Sequence, residues 1–196
     1  MNQQASLFDL PDEAAGQAVA RTEAPVLTIG ALVVAGTDGS CNPNPGTAAG
    51  AWFVSPTCYG VAPVEGEGTN NIGELLAIRS LLEAVPPGRP LEIVFDSTYA
   101  RDCLTTWVLG WSKGGRLPPS AWRRGKTREV VKNAELIGAT HALLAGRTVT
   151  WTKATAHVGV ALGGHVLNHE ADRLANEAVT AMRRGGVPDL GPGFTN

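Results

Sequence analysis

Apolar residues along the chain follow two periodicities, one after the other. Short runs of small and β-branched residues at about 29–37, 49–55 and 58–66, separated by turns dense in Gly, Pro and Asn, predict three strands. From about 71 to 85 the pattern becomes helical: Leu75, Ile78, Leu82 and Val85 share a stripe, and Pro86-Pro87-Gly88 ends it. Leu91–Phe95 predicts a short buried strand that closes on Asp96. A helix over about 98–112 carries Trp107 and Trp111; another over about 128–145 precedes a strand at 148–152 and a Gly-rich loop. In a last helix at about 167–183, Ala171, Leu174, Ala175, Ala178, Val179 and Met182 form one apolar face. Strands first, then strands alternating with helices, predict an α/β fold built on a mixed sheet covered by helices. Residues 1–27 lack periodicity and 185–196 are rich in Gly and Pro, so loose tails are expected on either side of one domain at 28–184.

Composition narrows the class. With 196 residues, 43% hydrophobic and 17% charged, the chain suits one soluble, well-cored domain. Its apolar runs are too short to cross a bilayer, and Met1-Asn2-Gln3-Gln4 does not open a secretory signal. Cys41, Cys58 and Cys103 are an odd set without CxxC spacing, which argues against a disulfide framework or a zinc site. A cytoplasmic, reduced monomer is expected. The net charge of −2 does not by itself point to nucleic acid. Its distribution does: Lys113, Arg116, Arg123, Arg124, Lys126, Arg128 and Lys132 face the single acid Glu129, a phosphate-binding surface or else a solvated loop.

Four acids occupy matching places. Asp38 and Asp96 follow apolar strands, while Glu74 and Asp172 lie near the starts of helices. Each has a structural reading of its own: a hairpin acid, a helix start, the far half of a capping box opened by Asn71, and a dipole partner. Together they have another. Strand ends and helix starts can converge on one sheet edge, where clustered carboxylates repel unless cations neutralise them. Hard oxygen ligands suit Mg²⁺ or Mn²⁺, and two such ions about 4 Å apart can activate water for phosphodiester cleavage.

The segments "TDGSCNPNPG", "TNNIGELLA", "FDSTYA" and "NHEADRLANEA", in that order, resemble the four segments that mark type I ribonuclease H, over about residues 30–183. The resemblance implies an RNase H-like fold, with a five-stranded mixed sheet flanked by helices. It also implies endonucleolytic hydrolysis of the RNA strand of RNA–DNA hybrids. Asp38, Glu74, Asp96 and Asp172 take the catalytic metal-ligand places for two Mg²⁺ ions, with Mn²⁺ as substitute and Asp38 bridging both. Gly39, Ser40, Cys41, Asn44, Asn70, Asn71 and Thr98 match positions lining the hybrid's minor groove, the small ones letting backbone amides approach. "LTTWVLGWSKGG" resembles the start of a basic protrusion that grips the DNA strand, with Lys113 as a contact, Trp107 packing onto the body, and Trp111 either a platform beside the phosphates or a second packing residue. A junction resolvase or transposase core on the same fold, and a hybrid-binding module without catalysis, are the other readings.

Two further segments add expectations. The family's loop histidine usually precedes the last acid by about ten residues; here His157, in His157-Val158-Gly159, precedes Asp172 by fifteen, and His165 by seven. His157 is assigned the family role in proton transfer or product release, because its Trp151-Thr152-Lys153 lead-in also fits. At the N-terminus, "QASLF" resembles the peptide by which bacterial replication and repair proteins dock on the DNA sliding clamp. Gln4, Ser6, Leu7 and Phe8 would make those contacts, or else the apolar pair folds back on the domain.

Overall fold

A computed structural model describes residues 30–154 and 165–194. Strands β1 (Val33–Asn42), β2 (Thr47–Ser55), β3 (Cys58–Pro63), β4 (Leu91–Phe95) and β5 (Val149–Lys153) form one sheet in the order β3-β2-β1-β4-β5. The first three pair antiparallel, and β4 and β5 add in parallel to β1. This is the five-stranded mixed sheet that the sequence predicts.

The first strand does not stop before Asp38. It runs on through the Gly-rich segment, held by β2 down to the rung Asn42–Thr47, because a partner strand that continues overrides local turn preference. On its other side, pairing with β4 ends at Gly36–Val94. Asp38 therefore sits mid-strand beside β2 but beyond the last rung of β4, where that side of β1 opens into a rim.

Helix α1 (Asn70–Ala84) begins at Thr69, whose Oγ1 accepts the Ile72 N–H at 3.3 Å. Asn71 is thus not the cap, and Glu74, a turn further in, is free of any capping box. The helix lies directly on β1 and β2 because glycine leaves room: a Cβ on Gly39 would strike the backbone of Glu74 and Gly73, and one on Gly50 the Gly73 carbonyl. Leu75, Ile78, Leu81 and Leu82 are fully buried with Trp52, Leu91 and Ile93, each contributing about 1.5–3 kcal/mol relative to exposure. The opposite face is covered by α5 (Val166–Arg183), whose Ala171, Leu174, Ala175, Ala178 and Val179 meet Ala49, Ala51, Phe53 and Val61. That is the apolar face read from the sequence.

Three elements depart from expectation. The Trp-bearing helix is α2 (Thr98–Asp102), a π-helical turn Cys103–Trp107 and α3 (Val108–Trp111) in succession. The helix over 128–145 shortens to α4 (Ala134–Leu143), since Arg128 and Asn133 adopt left-handed φ of 58° and 60°, which a helix cannot propagate. Ahead of it the basic segment folds as a hairpin, with Arg124 N–H donating to Glu129 O at 2.8 Å. The C-terminal segment is not loose over its described part. Val61 N–H donates to Leu190 O at 3.0 Å, Gly193 N–H to Tyr59 O at 3.1 Å, and Tyr59 Oη to Asp189 Oδ2 at 2.9 Å. Phe194 packs on the core beneath the Arg89 guanidinium, 5.8 Å from the ring centroid. Residues 187–194 so form a strap along the outer edge of β3. The expected N-terminal tail lies outside the described residues.

Candidate active site

Carboxyl oxygens of Asp38, Glu74 and Asp96 lie within 4.8 Å of one another. They arrive from three elements: β1 beyond the end of β4, the second turn of α1, and the residue after β4. The Gly39 and Gly73 approach that seats α1 on the sheet is what brings Glu74 to Asp38. Asp172 projects from the second turn of α5, on the other face. It stands outside the trio but near enough to Asp38 that its charge acts on it.

Mutual repulsion and burial show in the titration of these groups. Asp38, 4% exposed, is pushed up to about 8, first by burial, then by the Asp96 charge, and to a lesser extent by Asp172; the Gly39 N–H, 2.8 Å from Oδ1, opposes this. Glu74, 8% exposed, is raised well above its usual value by burial and then by Asp38 and Asp96. Its Oε2 is buried and receives no donor from any described residue; the Gly39 N–H works against the rise but does not outweigh burial and the two carboxylates. Buried hard oxygens, one of them without a donor, fit a divalent cation such as Mg²⁺ or Mn²⁺.

The substrate-facing residues divide into two groups. Asn44, Asn70, Asn71 and Trp111 share one cavity of about 400 Å³ with Tyr99, Arg124, Lys132 and Asn133. Thr98 is exposed at the start of α2, and Lys113 is exposed with a left-handed φ of 51°; neither lines that cavity. Cys41 is half-buried, its Sγ donating to Pro43 O at 3.0 Å. Gly39 and Ser40 make contacts within the protein. Gly39 has its N–H on Asp38 and its open face against α1, and the Ser40 hydroxyl donates to Asn176 Oδ1 at 2.6 Å. Trp107, expected to pack, keeps 40% of its surface exposed, while Trp111 is half-buried between Trp107 and Trp122 at centroid distances of 5.8 and 6.2 Å. The π turn, by adding a residue, rotates the register on which both rings depend.

His165 is the N-cap of α5, its Nδ1 accepting the Leu167 N–H at 3.3 Å. His157, Gln4, Ser6, Leu7 and Phe8 lie outside the described residues. Sequence reasoning missed Asn176, which donates to Asp172 Oδ1 at 2.8 Å, and Asn168, whose Nδ2 donates to Thr37 O at 2.9 Å. The signal for Asn176 was its i+4 spacing from an acid; Asn168 carried none. Among the described residues no helix is long and apolar enough to cross a membrane.

The RNase H family model matches residues 31–180. The chain is 37% identical over 158 residues to the ribonuclease HI of Streptomyces coelicolor, a match spanning 78% of this chain and 64% of that protein. It is 35% identical over 164 residues to the ribonuclease H of Tropheryma whipplei strain Twist, spanning 83% and 94%. The crystal structure of LC9-RNase H1, a type 1 RNase H with the type 2 active-site motif, superposes with a TM-score of 0.58 at 22% identity, covering 84% of this chain and 77% of that one; it speaks for the fold. With the acidic rim assembled on that sheet and matches of this extent, the chain belongs to the ribonuclease H family of RNA-hydrolysing enzymes.

Proposed function

We propose that this chain hydrolyses the RNA strand of RNA–DNA hybrids with the help of two divalent ions, Mg²⁺ by preference and Mn²⁺ as substitute. The observation that carries the proposal is the convergence of Asp38, Glu74 and Asp96 to within 4.8 Å, with Asp172 beside Asp38, in a setting that leaves buried carboxylate unneutralised. When bound, a pair of divalent ions supplies activation of a water for attack at phosphorus and stabilisation of the leaving oxygen. The chain's own residues do the rest. Asp38, Glu74, Asp96 and Asp172 hold the ions, and the Gly39 N–H fixes one oxygen of Asp38. Asn44, Asn70 and Asn71 present both donors and acceptors, which a 2′-hydroxyl can satisfy and a deoxyribose cannot. Arg124 and Lys132, across the same cavity, take phosphates. Trp111, Thr98, Cys41 and Lys113 extend the contact surface, and His157 assists proton transfer or product release.

Cleavage of RNA–DNA, RNA–RNA and DNA–DNA duplexes, each with Mg²⁺ and with EDTA, tests the reading. Only the hybrid should be cut, only with the ion, and Asp38→Asn should lower the rate at least about a hundredfold. Cutting of DNA–DNA junctions, or hybrid binding without cutting, would point to the other readings of the fold. In the same assay His157→Ala should slow turnover more than His165→Ala, whose cost falls on the α5 cap. The tail segment 4–8 docks this activity on a DNA sliding clamp. Removal of residues 1–10 should abolish clamp binding and spare hybrid cleavage; a full-length chain that does not bind a clamp removes that part of the proposal.

A further inference from the structure

Asp172 differs from the other three acids. Those lie on or beside β1, α1 and β4 within 4.8 Å of each other, whereas Asp172 comes from α5, is half-buried, and meets the trio at Asp38. A carboxylate on a partly exposed helix surface rotates freely unless something holds it, and ordering it on ion binding then costs entropy. Something does hold it. Asn176, one helical turn on, donates its Nδ2 to Asp172 Oδ1 at 2.8 Å, and Ser40 Oγ donates to Asn176 Oδ1 at 2.6 Å.

The two bonds are not independent. An amide's two ends are alike in shape, so an exposed Asn can present either nitrogen or oxygen to its neighbour. The Asp172 carboxylate, which only accepts, takes the nitrogen end, and the Ser40 hydroxyl, buried in β1, donates to the oxygen end that remains and so ties Asn176 to the strand. The reverse orientation would set amide oxygen against carboxylate oxygen. Ser40 also lies two residues from Asp38, on the same face of β1. The strand that carries Asp38 therefore sets, through Ser40 and Asn176, the orientation of the acid on α5. The bond to Asn176 fixes Oδ1 of Asp172 while its carboxyl meets Asp38, the acid with which it would hold an ion.

We infer that Asn176 is a positioning residue, anchored to β1 by Ser40, that aligns Asp172 for ion binding; the inference rests on the two-ion reading above. The test compares wild type, Ser40→Ala, Asn176→Ala and the double variant by calorimetric titration with MnCl₂ and with MgCl₂, by thermal melts in EDTA, and by steady-state cleavage of a hybrid. Asn176→Ala should weaken ion binding and lower kcat by about 10- to 100-fold, the usual effect of removing a group that orients a ligand. KM for the hybrid should stay within about twofold, since the contact is not to substrate. Ion-free melting should hold in the double variant, which leaves no buried hydroxyl unpaired, because alanine suits an exposed helix position at least as well as Asn. Ser40→Ala should move the same quantities less, and the double variant should be no worse than Asn176→Ala alone, as coupling through one amide requires. Wild-type ion affinity in Asn176→Ala, or additive losses in the double variant, would overturn the inference while leaving the two-ion function intact. A wild-type protein that binds neither ion and cuts no hybrid would overturn both.

Discussion

Asp38 concentrates the tension of the site in one side chain. Its carboxyl is raised from 3.8 to about 8, chiefly by burial and next by Asp96. A group whose folded value lies above its unfolded one stabilises the fold fully only below the unfolded value, and that contribution is lost as pH rises through the folded value. In the ion-free protein the loss therefore extends from about pH 4 to about pH 8. Melting in EDTA, followed by circular dichroism, should show lower stability at pH 9 than at pH 6. Saturating Mg²⁺ should raise the melting temperature more at pH 9, where no proton competes for the carboxylate, and Asp38→Asn should flatten both trends. A melting temperature in EDTA independent of pH across this range would count against the buried, repelling cluster. The four acids were legible in the sequence because each sits in a recognisable segment. Their meeting was not, since it depends on β1 outrunning β4 and on two helices approaching from opposite faces.

Helix α1 reaches the sheet only because Gly39, Gly50 and Gly73 omit side chains, and this close seat is what delivers Glu74. Gly39→Ala should accordingly cost about 1–3 kcal/mol in urea unfolding, as overpacking usually does, and should depress hybrid cleavage along with stability. Gly110→Ala is the control: a Cβ there meets nothing within 4 Å, so stability should hold or rise by up to about 1 kcal/mol. Equal effects of the two substitutions would refute the packing argument. At this level the helical stripes of α1 and α5 were readable, since burial of an apolar face follows directly from spacing. The extent of β1 was not, because Gly39, Ser40 and Cys41 look like a turn until β2 is known to pair with them. Nor was the hairpin ahead of α4, where Arg128 and Asn133 break a pattern that reads as helix.

Across the whole molecule, the strap at 187–194 changes how the sheet ends. Gly191 and Gly193, with φ of 79° each, and the prolines between and before them read as a loose tail, yet those same residues lay the chain along β3. Edge strands left open pair with other chains. Ending the protein at Gly186 should therefore lower the melting temperature and produce concentration-dependent self-association in light scattering, whereas the full-length chain should stay monomeric; a truncated chain that remains monomeric and equally stable would show the strap to be incidental. Long-range pairing of this kind leaves no local mark, which is why the sequence alone missed it.

The carboxylates come to their rim from both sides of the sheet, Glu74 from α1 and Asp172 from α5. An ion shared among them would join the two layers, and without it the buried Asp38 carboxyl must either keep a proton or, as pH rises, carry its charge against Asp96. On the proposed two-ion function, scarcity of the divalent ion would then do more than idle cleavage: at alkaline pH it would loosen the molecule for proteolysis, tying its lifetime to the supply of metal.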